Sequence, residues 1–109
     1  MDSIDIPLFP LASVLFPGGR LRLRIFEPRY LDLVRDCARS DSGFGVCLIL
    51  DGEEVGEPAI PAAVGTLARI TDFHTLPGGL LGIHAHGGER FHVEETRVRS
   101  NGLVHGKVR

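Results

Sequence analysis

The segment Arg20-Leu-Arg-Leu-Arg-Ile-Phe26 alternates charged and apolar residues, and it meets Pro28 after the single residue Glu27. Period-2 alternation predicts a half-buried antiparallel strand, with Leu21, Leu23 and Ile25 on one face and Arg20, Arg22 and Arg24 on the other. Pro28 fixes a φ suited to the first helical position and pushes Glu27 out of the helical region. Beyond it, Tyr30, Leu33, Val34 and Cys37 recur at helical spacing, with Leu31 and Ala38 widening the stripe. Arg35 and Arg39 sit where the helix dipole favours cations, and the segment Ser40–Gly43 ends the pattern. The chain thus passes from a half-buried strand into a helix over Pro28–Arg39 with almost no linker.

The remaining segments are strands separated by turns. Fourteen glycines and seven prolines, spread without a repeat, mark frequent turns and favour a β-rich fold. Ile4–Leu8 is a short strand closed by Pro10, and Pro17-Gly18-Gly19 is a turn. Phe44–Leu50 is apolar on both sides, as in a central strand. Asp51–Ala62 is an acidic loop. Val64–Leu76 is a long β-branched strand, bulged or bent where its apolar parity changes between Leu67 and Ile70. Pro77-Gly78-Gly79 turns the chain into Leu80–His86, Gly87-Gly88-Glu89 turns it into Arg90–Val98, and Leu103–Val108 follows. The 109 residues make one domain, 1–109, of mainly β (α+β) class with six to seven strands and one early helix. Alternation continues to the end of LVHGKVR without a cap, so the native chain is expected to continue beyond Arg109.

Charge and motifs narrow the function. A net charge of −2 gives no overall field for nucleic acid. Arg20, Arg22 and Arg24 could track phosphates, but no aromatic residues alternate with them, and a solvated face is the favoured reading. Lys107 is the only lysine, and its surroundings do not form a phosphate-binding loop. No serine stands in a nucleophile motif. Cys37 and Cys47 read as reduced, partly buried thiols in a chain without an export signal, which points to the cytoplasm. No apolar run can span a bilayer.

One constellation could hold a metal. Setting His86 opposite Arg90 across a tight loop places His84, His86 and His92 on one face of a hairpin, a geometry zinc can use. Arg90 would sit among them and repel a cation, so these are weak candidates; neither a metal nor a cofactor is expected.

The blocks PLFPLASVLFPGGRLRLRIFEPRYLDLVRDC (Pro7 to Cys37), FGVCLI (Phe44 to Ile49), VGTLARI (Val64 to Ile70) and Gly87, Arg90, Phe91 resemble, in this order, the N-terminal domain of the ATP-dependent Lon proteases. They are especially similar to bacterial proteins in which that domain occurs alone. The resemblance implies a PUA-like pseudobarrel with one inserted helix, followed in the family by a helical subdomain. It also implies a non-catalytic module that recognises substrate polypeptide, without the ATPase and Ser–Lys protease modules of the complete enzyme. The expected partners are unfolded or apolar-rich polypeptides, with self-association a further option and no membrane. RNA binding, as in other PUA-like barrels, is the alternative. The expected peptide site lies at the strand–helix joint: Phe16, Phe26, Glu27, Arg29 and Tyr30. The competing reading has Arg29 paired with Glu27 or Asp32 and Phe16 packed in the core.

Overall fold

The computed structural model describes residues 3–51, 54 and 60–109. Strand β1 (Ile4–Leu11) is followed by β2 (Arg20–Ile25), helix α1 (Pro28–Ser40), β3 (Phe44–Asp51), β4 (Ile60–Thr75), β5 (Leu81–Val98) and β6 (Val104–Val108). The strands are ordered β2-β5-β4-β3-β1-β6, and a second pairing of β5 with β6 closes five of them into a barrel. β2 remains outside the closure, paired with the first half of β5. β1 and β3 run parallel; the other pairings are antiparallel.

Two apolar cores lie on opposite faces of the sheet. The larger gathers Phe9, Leu15, Ile25, Phe44, Val46, Ala68 and Ile83 beneath Tyr30, Leu33, Val34 and Cys37 of α1. The smaller holds Ile6, Leu8, Cys47, Phe91, Val104 and Val108. β1 sends Ile6 and Leu8 to one core and Phe9 and Leu11 to the other. β4 does the same with Leu67 and Ala68, which explains the parity change between Leu67 and Ile70 without a bulge at that point. The register shifts flank Ala68–Ile70. β5 carries an extra residue between Gly87 and Arg90, and β4 carries one at Thr71.

The expected helix is present and runs one residue further, to Ser40. Tyr30, Leu33, Val34 and Cys37 are buried, whereas Leu31 and Ala38 are exposed and do not widen the stripe. Arg29 is buried as well. Pro10 does not end the first strand. It lies fully buried within β1, opposite Cys47 of β3. The acidic segment is shorter than expected, because β4 begins at Ile60; within it, residues 52, 53 and 55–59 lie outside the described residues.

The largest correction concerns Gly87-Gly88-Glu89. The chain does not turn there; β5 is one continuous strand of 18 residues. Gly87 instead lies against the turn at Pro17-Gly18-Gly19. The Gly18 N–H donates to the Gly87 carbonyl at 2.9 Å, and the Gly87 N–H donates to the Gly19 carbonyl at 2.8 Å. A Cβ on Gly87 would stand 2.5 Å from the Phe16 carbonyl oxygen, so glycine is required there by close approach. Gly18, at φ 80°, is the glycine that turns the chain.

Candidate functional site

The strand–helix joint borders a surface groove. β2 is an edge strand: among the described residues, only β5 pairs with it. Its arginines are exposed, while Leu21 and Leu23 are half-buried and Ile25 is buried, as alternation requires. The consecutive residues Arg22 to Glu27 all line a groove of about 300 Å³, so the strand meets it edge-on. The opposite wall comes from Phe9 and Leu11 of β1, Tyr30 of α1, and Glu54.

Arg29 braces this wall from behind. Its Nε donates to a Glu27 carboxylate oxygen at 2.7 Å, and Nη1 donates to the Gly102 carbonyl at 3.3 Å. Its guanidinium lies 4.7 Å from the centre of the Tyr30 ring, and that ring stacks on Phe9 at 4.0 Å. Burial raises the Tyr30 phenol pKa above its ordinary value, with nearby Arg29 opposing the shift. The neutral phenol therefore serves as a packed wall. Glu27 caps no helix N–H through its side chain, which is used by Arg29. Its carbonyl instead accepts from the Tyr30 and Leu31 N–H groups.

Phe26, Glu27, Arg29 and Tyr30 are thus brought together at the joint, with unequal exposure. Phe26 is 53% exposed at the groove, whereas Arg29 is 5% exposed. The pairing of Arg29 with Glu27 holds. Phe16 is not in the core: it is 61% exposed. Nor does it join the groove, since it sits before the Gly18 turn at the other end of β2, with the Arg90 guanidinium 5.8 Å from its ring. Sequence reasoning missed Phe9 and Leu11, hidden behind the assumption that Pro10 closes the strand.

The histidine constellation dissolves with the hairpin. His84 stands opposite Arg22 and Asp72, His86 opposite Arg20 and Arg69, and His92 opposite Val64. The His84 ring meets His74 edge-on at 5.6 Å. Among the described residues, no cluster of His, Cys, Asp or Glu could hold a metal ion.

A second groove of about 430 Å³ lies between the later half of α1 and β4, lined by Val34, Cys37, Ala38, Ile70 and Phe73 among others. Cys37 and Cys47 are free and buried. Burial raises the Cys37 thiol pKa and pushes that of Cys47 up to about 12. Neither is poised as a thiolate nucleophile. Among the described residues, no helix is long and apolar enough to cross a membrane.

Comparison with known proteins agrees with this architecture. The chain is similar to a Lon N-terminal domain protein from Xanthomonas campestris, with 55% identity and a TM-score of 0.86, over 97% of this chain and 59% of that one. It is 30% identical to the protein cereblon of Danio rerio over 98% of this chain and 26% of that protein. It is also 30% identical to the Lon protease of Cytophaga hutchinsonii over 94% of this chain and 13% of that protein. The chain therefore spans about a quarter or less of these two curated relatives. Residues 5–109 match the model of the ATP-dependent protease La (LON) substrate-binding domain. The chain belongs to that family, as its substrate-binding module and not its catalytic one.

Proposed function

We propose that this domain captures polypeptide in extended form along the free edge of β2. The observation that carries the reading is a strand edge that, among the described residues, has no partner strand and opens directly onto a largely apolar groove. An extended chain can satisfy the free backbone groups of an edge strand while placing alternate side chains in adjoining pockets. Leu23, Phe26, Phe9 and Leu11 supply the apolar walls, which favours unfolded, apolar-rich segments. Tyr30 closes the floor, and the Glu27–Arg29 pair fixes the joint. The module performs no chemistry of its own. The similarity to a bacterial Lon-domain protein and a bacterial Lon protease supports a bacterial, cytoplasmic setting.

A small domain offers limited area, so affinity in about the micromolar range is expected. Titrating a labelled, permanently unfolded polypeptide into wild type and Phe26→Ala tests the reading. The variant should bind several-fold more weakly while unfolding at the same denaturant midpoint. Equal binding by both proteins would remove the groove from the site. The same edge could also pair with a second copy; concentration-dependent dimerisation blocked by the polypeptide would place self-association on this surface too.

A further inference from the structure

We infer that the preferred ligand of the β2 edge is an extended polypeptide carrying acidic side chains at alternate positions. This inference rests on the edge-binding reading above and names its substrate class. β2 presents its two faces unequally. One face turns Leu21, Leu23 and Ile25 towards the larger core and the groove. The other turns Arg20, Arg22 and Arg24 to solvent, and none of the three forms an ion pair with a described carboxylate.

Neighbouring strands strengthen the asymmetry. Arg20, His86 and Arg69 are matched across β2, β5 and β4; Arg22, His84 and Asp72 form the next row; Arg24, Gly82 and His74 form the third. Arg22 and His84 share two shallow depressions on this face, one with Arg24 and His74 and the other with Arg20 and His86. Asp72 is the one acid in these rows, and its carboxylate already accepts the Phe73 N–H at 2.9 Å. The acids near the groove are also engaged. Glu27 pairs with Arg29, and Glu54 accepts the Ala12 N–H at 2.7 Å.

A strand added to β2 continues the same pleat. Alternate ligand residues therefore lie beside the arginine row, about 6.6–6.8 Å apart, like the arginines themselves. The intervening residues point to the apolar side. The complementary ligand is apolar on one face and acidic on the other, because opposite charges on neighbouring strands stabilise and like charges repel. The rows of this face contain no Phe, Tyr or Trp, only Arg, His, Asp and Gly, so base stacking would fall to the imidazoles of His74, His84 and His86 alone.

The test uses three monomeric ten-residue peptides in which Val alternates with Glu, Gln or Lys, together with a uridine oligonucleotide of similar length. Each is titrated into wild type and the Arg22→Glu/Arg24→Glu variant at low salt. For wild type, affinity should fall in the order Glu, Gln, Lys, with about fivefold to tenfold separating the extremes for a few exposed charge pairs. The variant should reverse that order. If the Glu and Gln peptides bind equally and charge reversal changes nothing, the acidic preference is wrong while edge binding stands. If no peptide binds, edge binding fails and takes the preference with it. Tighter binding of the oligonucleotide than of the Glu peptide, lost in the variant, would reassign the arginine face to nucleic acid.

Discussion

Two bare strand stretches border grooves beside α1, and they are finished differently. Among the described residues, β2 has no second neighbour along its length, and β4 has none beyond Ala68, where its pairing with β3 stops. Both bare stretches border grooves under α1: β2 at the helix start, and β4 along Val34, Cys37 and Ala38. On β4, the Asp72 carboxylate takes up the Phe73 N–H, a charged side chain blunting a strand edge. On β2, the adjacent charges are arginines directed onto the face, and the groove wall is rigidified from behind by Arg29. Under the edge-binding proposal, β2 is a surface to use and the β4 stretch a liability to cover, and the Asp72 carboxylate separates the two.

The contrast can be broken most severely at Arg29. Arg29→Ala should lower unfolding stability by about 2–3 kcal/mol, since it removes one partner of a mostly buried ion pair. That loss, read from denaturant midpoints, should be accompanied by loss of binding at the β2 groove. An unchanged midpoint would show that the pair does not brace the joint.

The closed barrel provides the reference for both edges. Cys47 lies in the smaller core, with its thiol pKa pushed from the ordinary value near 9 up to about 12. The folded state therefore holds this proton in a window where the unfolded chain has released it. Stability is fully present below about pH 9 and declines by about 1.4 kcal/mol per pH unit towards pH 12. Cys47→Ala should flatten that decline, as measured by urea unfolding at successive pH values.

The two grooves can be compared directly. Phe26→Ala should weaken polypeptide binding by about 1 kcal/mol, roughly fivefold, whereas Phe73→Ala should leave it unchanged, although Phe73 is 59% exposed. The reverse pattern would move the site to the β4 edge. The smallest expected effect is on stability in Asp72→Ala, within about 0.5 kcal/mol. Uncapping the β4 edge should nevertheless produce self-association visible by sedimentation.

What could be read from the sequence divides along similar lines. The β2–α1 joint was legible because alternation, Pro28 and the Tyr30/Leu33/Val34/Cys37 spacing are local signals. Gly87 was not. Its glycine answers a backbone approach from Phe16, about seventy positions earlier in the chain, and nothing nearby distinguishes such a residue from a turn glycine such as Gly18. That one misreading created the apparent histidine cluster. The burial of Arg29 was hidden for a related reason: it depends on Glu27 beside it but also on the distant Gly102 carbonyl. The candidate groove was only half visible, since Phe9 and Leu11 reach it through a strand that continues past a buried proline.

Residue-resolved amide hydrogen exchange, with and without the alternating Val–Glu peptide, tests edge binding most directly. If the ligand adds a strand to β2, amides of Arg20 to Phe26 that face away from β5 should exchange more slowly in the complex, while those of Arg69 to Thr75 should keep their rates. Protection confined to Arg69–Thr75, or bound peptide with no protection in β2, would contradict it.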